Sequence, residues 1–392
     1  MQLYRGRATA AGVCVWCGSC HTIVIVIAAS CLIFAPQPGF AQAAPDTPQP
    51  AAPAPGSLTP PATAPQRNVP PPAQSINPAG PEPTALFEFH GAFFERYRDD
   101  TNHDNGGRSR SDSVTYGNTT VSYNPTSLFS AYVRFGFEVQ SPRGGGRDYN
   151  TNFYQGDAGF RGAAAFDQYG VIYHDVPRGL TVNVGRQDEP LDASSTLYDN
   201  SYKVGLHTFF DGISAVQKVG SGSIEGYAFS EDQYRTQATR NGVYALRGTY
   251  SAGQIATFGA TLAHFASSSE NRIAGIATTT NYEGDVIVKK SATQVTLEYA
   301  KSNARTRNDL YYIGEKYTLT HRDSITVFSY KIAQNADVGE DSAFPNSNRG
   351  TRYFYEHFFS NKFESIFYYE TDRQLYGPGK STSPQVTLLY TF

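Results

Sequence analysis

Beyond residue 43 the sequence has no cysteine, no methionine and no tryptophan. The four cysteines (Cys14, Cys17, Cys20, Cys31), the single Trp16 and the single Met1 all fall in the first 31 residues. Four cysteines in 392 residues exclude a disulfide scaffold. Charge is also scarce: 17% of residues are charged, and 32 Lys+Arg against 35 Asp+Glu give a net −3. That balance gives no basis for reading a nucleic-acid binder. No apolar run approaches 18 residues, so no helical membrane span is present. After the leader, His90, His103, His174, His207, His264, His321 and His357 remain, and none has zinc-finger or H-E-x-x-H spacing. There is no G-x-S-x-G elbow. Gly144-Gly145-Gly146 follows Pro142-Arg143 and opens no helix, so it reads as a loop tip and not a phosphate cradle. The stretch from Asp99 to Asn105 offers oxygen ligands for Ca²⁺ but lacks the Asp-x-Asp-x-Asp-Gly spacing. No cofactor and no metal is implied.

What is plentiful is aromatic. The 27 tyrosines and 25 phenylalanines exclude a globally disordered chain. They are distributed unevenly, and the chain divides in three. In residues 1–43, Arg5 and Arg7 precede the apolar core Thr22–Ala35 (TIVIVIAASCLIFA), and Ala41-Gln42-Ala43 supplies a small-x-small cleavage site. This is the layout of a secretory signal peptide cut after Ala43. The series Cys14-x-x-Cys17-x-x-Cys20-His21 also has the look of a metal or redox cluster, and Ala-Ser-Cys31 that of a lipidation site. The leader reading absorbs both, since apolar residues continue past Cys31. Removing the leader leaves 30 bases against 35 acids, a net −5.

Residues 44–84 hold 14 of the 23 prolines and no aromatic residue. Such a segment has little apolar surface to offset its ordering entropy, and it reads as a disordered or polyproline-II periplasmic linker. A docking ligand or a cell-wall tether is the functional alternative to a plain spacer.

Residues 85–392 carry 26 Tyr, 23 Phe and only seven prolines. Their recurring pattern has period two, which is that of strands whose two faces meet different surroundings. Val386, Leu388, Tyr390 and Phe392 share one face of the last strand, with Gln385, Thr387 and Leu389 on the other. Phe87, Phe89, Phe93 and Tyr97 alternate with Glu88, His90, Phe94, Arg96 and Arg98. Short polar turns at 124–127, 175–179, 220–223, 251–254, 289–291, 321–324 and 360–362 alternate with eight longer polar stretches. Seven turns and eight loops make sixteen strands. An even strand number, short turns on one side and long loops on the other predict an all-β fold, a transmembrane antiparallel β-barrel over 85–392. The weakest strands are those at 158–174 and 206–219, where both faces are mixed.

An exported, cysteine-free, sixteen-stranded chain ending in an aromatic residue resembles the outer-membrane porins of Gram-negative bacteria. Gly185-Arg186-Gln187-Asp188-Glu189-Pro190-Leu191 is similar to the GRQ-x-x-P-L stretch at the start of the third loop in many porins. The terminal Leu389-Tyr390-Thr391-Phe392 is similar to the signal that the barrel-assembly machinery reads, with Tyr390 and Phe392 as its aromatic positions. The chain departs from the family in its long leader, its Pro/Ala segment and the lack of a clear Pro-Glu-Phe-Gly motif in the third loop. The resemblance implies an outer-membrane location, contact with membrane lipid and lipopolysaccharide, a homotrimer, and a water-filled pore narrowed by the third loop.

The residues bear on that pore. The third loop, 188–205, holds Asp188, Glu189, Asp192 and Asp199 against one base, Lys203. By strand parity Arg96, Arg98, Arg134, Arg247 and Arg352 point inward as pore wall. Acids on the loop facing arginines on the wall set up a transverse field, and the net acidity predicts cation preference. Arg186 shares parity with Leu180, Val182 and Val184, which aims it at lipid unless a bulge or a rim position intervenes. The favoured function is a passive diffusion channel for small hydrophilic solutes. A solute-selective channel or polysaccharide exporter is the runner-up, and an outer-membrane barrel enzyme belongs to a different class.

Overall fold

The computed structural model describes residues 85–102, 110–143, 161–187, 190–198, 208–233, 241–269, 272, 277–339, 344 and 346–392. The proposed leader, 1–43, and linker, 44–84, lie outside them. Sixteen strands follow in order. The first eight are β1 Phe87–Asn102, β2 Arg110–Thr126, β3 Phe129–Arg143, β4 Arg161–Asp175, β5 Leu180–Gln187, β6 Thr208–Val219, β7 Gly222–Gln233 and β8 Asn241–Ala252. The second eight are β9 Ala256–Ala266, β10 Thr279–Lys290, β11 Thr293–Ser302, β12 Asp309–Thr318, β13 Asp323–Ile332, β14 Asn348–Ser360, β15 Phe363–Gln374 and β16 Lys380–Thr391. Each pairs with its sequence neighbours, and β1 pairs with β16 to close the barrel. The sixteen-stranded antiparallel barrel read from the turn signals is the architecture found. No helix of the described residues is long and apolar enough to cross a membrane; the crossing elements are strands.

The alternation explains the barrel. On β11, Leu297 and Tyr299 are exposed on the outside, while Thr296, Glu298 and Ala300 are buried inside. On β16, Val386, Leu388 and Tyr390 face out, and Ser383, Gln385 and Leu389 face in. Phe89 is 62% exposed, whereas Glu298 is 4% exposed. Apolar residues outside and carboxylates inside invert the arrangement of a water-soluble protein and suit a wall against hydrocarbon. Closure satisfies both sheet edges, which a bilayer requires.

The seam depends on one glycine. The amides of Gly91 and Phe392 each donate to the other's carbonyl at 3.1 Å. A Cβ at Gly91 would stand 2.2 Å from the Phe392 ring and 2.5 Å from the Asn118 carbonyl oxygen. Only a residue without a side chain lets the chain end dock there.

The two strands with mixed faces are β4 and β6. For β4 the cause is a register shift opposite Arg134 and Phe135. It leaves the consecutive residues Asp167 and Gln168 both buried, so the alternation skips a beat.

Candidate functional site

The third loop leaves the sheet at the end of β5, and the Gly185-Arg186-Gln187 triplet fixes its root. Gly185 has φ +146°, and a Cβ there would lie 2.1 Å from the Tyr169 carbonyl oxygen. Arg186 then points outward with Val184, as its parity requires. Its Nε and Nη2 donate to the two carboxylate oxygens of Asp211 on β6 at 2.8 and 2.7 Å, and the guanidinium lies 5.5 Å from the Tyr169 ring. Gln187 points inward. It accepts from the Ser214 hydroxyl at 2.6 Å and donates to the Gly212 carbonyl at 3.3 Å. Both faces of β5 are thereby clamped to β6 at the last residues before the chain departs.

The described part of the loop, 190–198, turns into the barrel and lies on the inner wall. Leu191, Leu197 and Tyr198 are completely buried, in one cluster with Phe210, Tyr227, Phe229, Val243, Phe265, Leu310 and Tyr312. Tyr198 stacks on Phe210 at 4.5 Å, and Phe210 on Phe229 at 4.4 Å. Full burial of each leucine is worth about 1.5–3 kcal/mol. A second loop, between β13 and β14, folds inward over the first. Val338 donates its amide to the Leu197 carbonyl at 2.9 Å, Asn281 donates to the Ala336 carbonyl at 2.6 Å, and Phe344 packs 4.7 Å from Tyr330.

Behind the loop lies a buried polar network. Arg247 donates to Thr261 at 2.8 Å, to Glu283 at 3.2 Å and to Asp285 at 2.6 Å. The Thr261 hydroxyl in turn donates a hydrogen bond to the Leu191 carbonyl at 2.9 Å. Ser194 donates to Glu298 at 2.6 Å, and the Thr196 hydroxyl bridges Glu298 and Asp192. The Leu197 amide donates to Asp192. Asp192, Glu283, Asp285 and Glu298 are four buried carboxyls around one guanidinium. Burial pushes the Asp192 carboxyl above its ordinary range; hydrogen bonds to Glu298 and the Leu197 amide, and the charge of Arg247, oppose that rise.

The other predicted site residues fall in separate places. Arg134 makes a bidentate pair with Asp167 at 2.9 and 3.0 Å, at the β4 irregularity. Arg352 is fully buried. Its Nε donates to Glu370 at 2.7 Å, inside a cage of Phe344, Tyr330, Tyr368 and Phe328 whose ring centres lie 4.4 to 5.9 Å away. Tyr330 also donates to Glu370 at 2.7 Å. Arg98 is buried on the inner face of β1, and Arg96 half-buried beside it. Asp188, Glu189, Asp199 and Lys203 lie outside the described residues. Of the expected loop–wall pairs, the structure brings Asp192 to Arg247, and it does so on the wall behind the loop. Glu283, Asp285, Glu298, Glu370 and Asp167 were not singled out in the sequence, though four of them carried a usable signal. Glu283 and Asp285 alternate with Tyr282 and Gly284, Glu298 with Leu297 and Tyr299, and Glu370 with Tyr369, so parity alone sends them inward.

The overall fold of this chain is similar to that of solved proteins. OmpF of Salmonella typhi superimposes with a TM-score of 0.53 over 78% of this chain and 97% of its own, at 10% identity. OprB of Pseudomonas putida gives 0.53 over 78% and 94%, at 7% identity. The chain has the porin fold. A mutant of the Rh. blastica porin is also similar, at a TM-score of 0.49, with 12% identity over 78% of this chain and all of that one. No protein-family model and no curated protein matches the sequence. At these identities the porin fold is common ground, and side-chain roles rest on this chain's own geometry.

Proposed function

We propose that this protein is an outer-membrane channel through which small hydrophilic solutes diffuse passively, with a preference for cations. The observation that carries the reading is the third loop folded into the barrel and held there by a network richer in carboxyls than in cations. A loop inside a polar lumen narrows the path without closing the wall, and its charge weights the ions that pass. In this reading Asp188, Glu189, Asp192, Asp199 and Lys203 shape the constriction. Arg96, Arg98, Arg134, Arg247 and Arg352 belong to the wall that positions it. No chemical step is involved.

The same reading places residues 1–43 as a cleaved leader, 44–84 as a periplasmic linker, and Tyr390 and Phe392 as the signal for barrel assembly. It also calls for protein cover on one outer wall. Glu95 shares the outer face of β1 with Phe93 and Tyr97 and accepts a hydrogen bond from Thr115. Asp99 accepts from Ser111 at 3.0 Å. Carboxylates on a lipid-facing surface are costly, and a homotrimer packed through β1 and β2 would remove that cost.

Purified protein added to a planar lipid bilayer is expected to give stepwise conductance increases. A silent bilayer, with protein inserted, overturns the channel reading. A second reading, a solute-selective channel, is favoured by the β13–β14 loop folded inward over the third loop, where Val338 donates to Leu197, since two inward loops narrow the path more than one. Conductance blocked by an oligosaccharide at submillimolar concentration would favour it over general diffusion.

A further inference from the structure

The short turns at the end of the barrel opposite the third loop are not alike in charge. The turns at 124–128 and 251–254 carry no charged residue. In the turn after β4, Arg178 is engaged by Asp175 at 3.1 Å. Three other turns, joining β10–β11, β12–β13 and β14–β15, carry Lys289, Lys290, His321, Arg322 and Lys362, all exposed.

These turns are laced side by side through the backbone. Lys289 donates to the Ile255 carbonyl at 2.7 Å, and Thr318 to Ala292 at 2.8 Å. Phe358 donates to Arg322, and Thr391 to Lys362, each at 2.8 Å. The cations therefore stand on one continuous, rigid rim and not on independent floppy loops.

Two acids nearby, Asp323 and Glu356, are held by other groups. Asp323 accepts from Tyr355 at 2.7 Å and from His357 at 2.8 Å, and also from Thr320. Glu356 accepts from Lys316 at 2.7 Å and from Ser324. Among the described residues, Lys289, Lys290, Arg322 and Lys362 form no ion pair with a carboxylate. Directly beside them the outer wall is apolar and aromatic. Val288, Tyr317, Leu319, Ile325, Tyr355 and Phe359 are exposed, and Phe359 stacks on Phe363 at 5.0 Å.

We infer that this sector is a docking rim for anionic glycerophospholipids of the periplasmic leaflet. Their phosphates sit among Lys289, Lys290, Arg322 and Lys362, and their acyl chains lie along the aromatic wall between β10 and β15. Basic side chains next to an interfacial aromatic belt match a lipid with a charged head and an apolar tail. A soluble anion would use the cations alone and a neutral lipid the wall alone; only a lipid of this class satisfies both. The inference rests on the membrane orientation proposed above.

The test uses the full-length protein in nanodiscs holding equal phosphatidylglycerol and phosphatidylcholine, with retained lipid counted by native mass spectrometry. The wild type is expected to retain phosphatidylglycerol by about fivefold or more over phosphatidylcholine. The preference should fall to near unity at 1 M salt, where screening lengths shrink to about 3 Å. It should also be lost in Lys289→Gln/Lys290→Gln/Arg322→Gln/Lys362→Gln, whose single-channel conductance stays unchanged. Equal retention by the wild type, or a preference that survives both the substitutions and the salt, overturns the inference. So does wild-type binding of peptidoglycan fragments in place of the lipid. The salt titration needs no variant, so a misfolded quadruple variant does not rescue the idea. The bilayer conductance of the wild type decides the channel reading separately.

Discussion

At the scale of single residues, the inner wall is built from buried charges that hold one another in place. Arg352 and Glu370 are the deepest pair, essentially without solvent contact. Such a pair adds little over a well-packed apolar substitute, yet losing one partner strands the other. Arg352→Ala is expected to destabilise the barrel by about 3–5 kcal/mol. Urea titration followed by the heat-modifiable gel shift checks this; a change below about 1 kcal/mol would contradict a buried pair. Asp192 offers a pH test. The groups facing it are Glu298 on β11, Arg247 on β8 and Glu283 on β10, with Thr196 and the Leu197 amide from the loop itself. Its pKa is raised when the loop is docked, so the docked state binds the proton more tightly than the free loop does. The docked loop is most stable below the ordinary carboxyl pKa of about 4 and loses that advantage as pH rises through the raised value. Protection of the Leu197 amide from exchange, corrected for intrinsic rate, should therefore decline from acid toward neutral pH. In Asp192→Asn, which keeps an acceptor oxygen but no charge, the decline should be shallower than in the wild type. A wild-type profile that rises with pH would reverse the sign and defeat the argument.

At the scale of elements, β5 and the loop it launches show where the sequence was legible and where it was not. Ladder geometry is local, so alternation and turn residues located every strand and short turn. Gly185-Arg186-Gln187 stood out as a motif, and the structure shows its physical content: close approach, an outer clamp and an inner clamp. The path of the third loop was not legible in the same way. Ser194 meets Glu298 across 104 positions of chain, and the Leu191 carbonyl meets Thr261 across 70. Contacts that distant leave no periodic trace. The clustering of Asp192 with Asp188, Glu189 and Asp199 in sequence suggested acids exposed to the pore, whereas Asp192 is buried against the wall. Thr261→Val tests the anchoring. It removes the donor to Leu191 and an acceptor from Arg247, and should weaken loop docking by about 1–3 kcal/mol. Single-channel recordings should then show more frequent partial closures at unchanged full conductance. A quiet channel would mean that the apolar cluster alone holds the loop.

At the scale of the whole molecule, the decisive asymmetry is of charge. The wall behind the loop gathers four carboxyls around Arg247, while Arg134 and Arg352 are each matched by one carboxylate. The chain after the proposed leader is acidic overall. A low-dielectric wall focuses such a field into the lumen, so permeating cations should outnumber anions. The effect has a salt signature. Screening lengths are about 10 Å at 0.1 M and 3 Å at 1 M, so charges set behind a loop act on the pore at low salt and fade at high salt. In a tenfold KCl gradient centred near 0.1 M, the zero-current potential should take the cation-favouring sign, and it should shrink toward zero when the same ratio is set around 1 M. Glu283→Gln/Asp285→Asn removes both carboxylates paired with Arg247, two of the four in this network, and should move the potential toward the anion side at low salt. An anion-favouring potential in the wild type, or one indifferent to ionic strength, would place selectivity elsewhere than in this network.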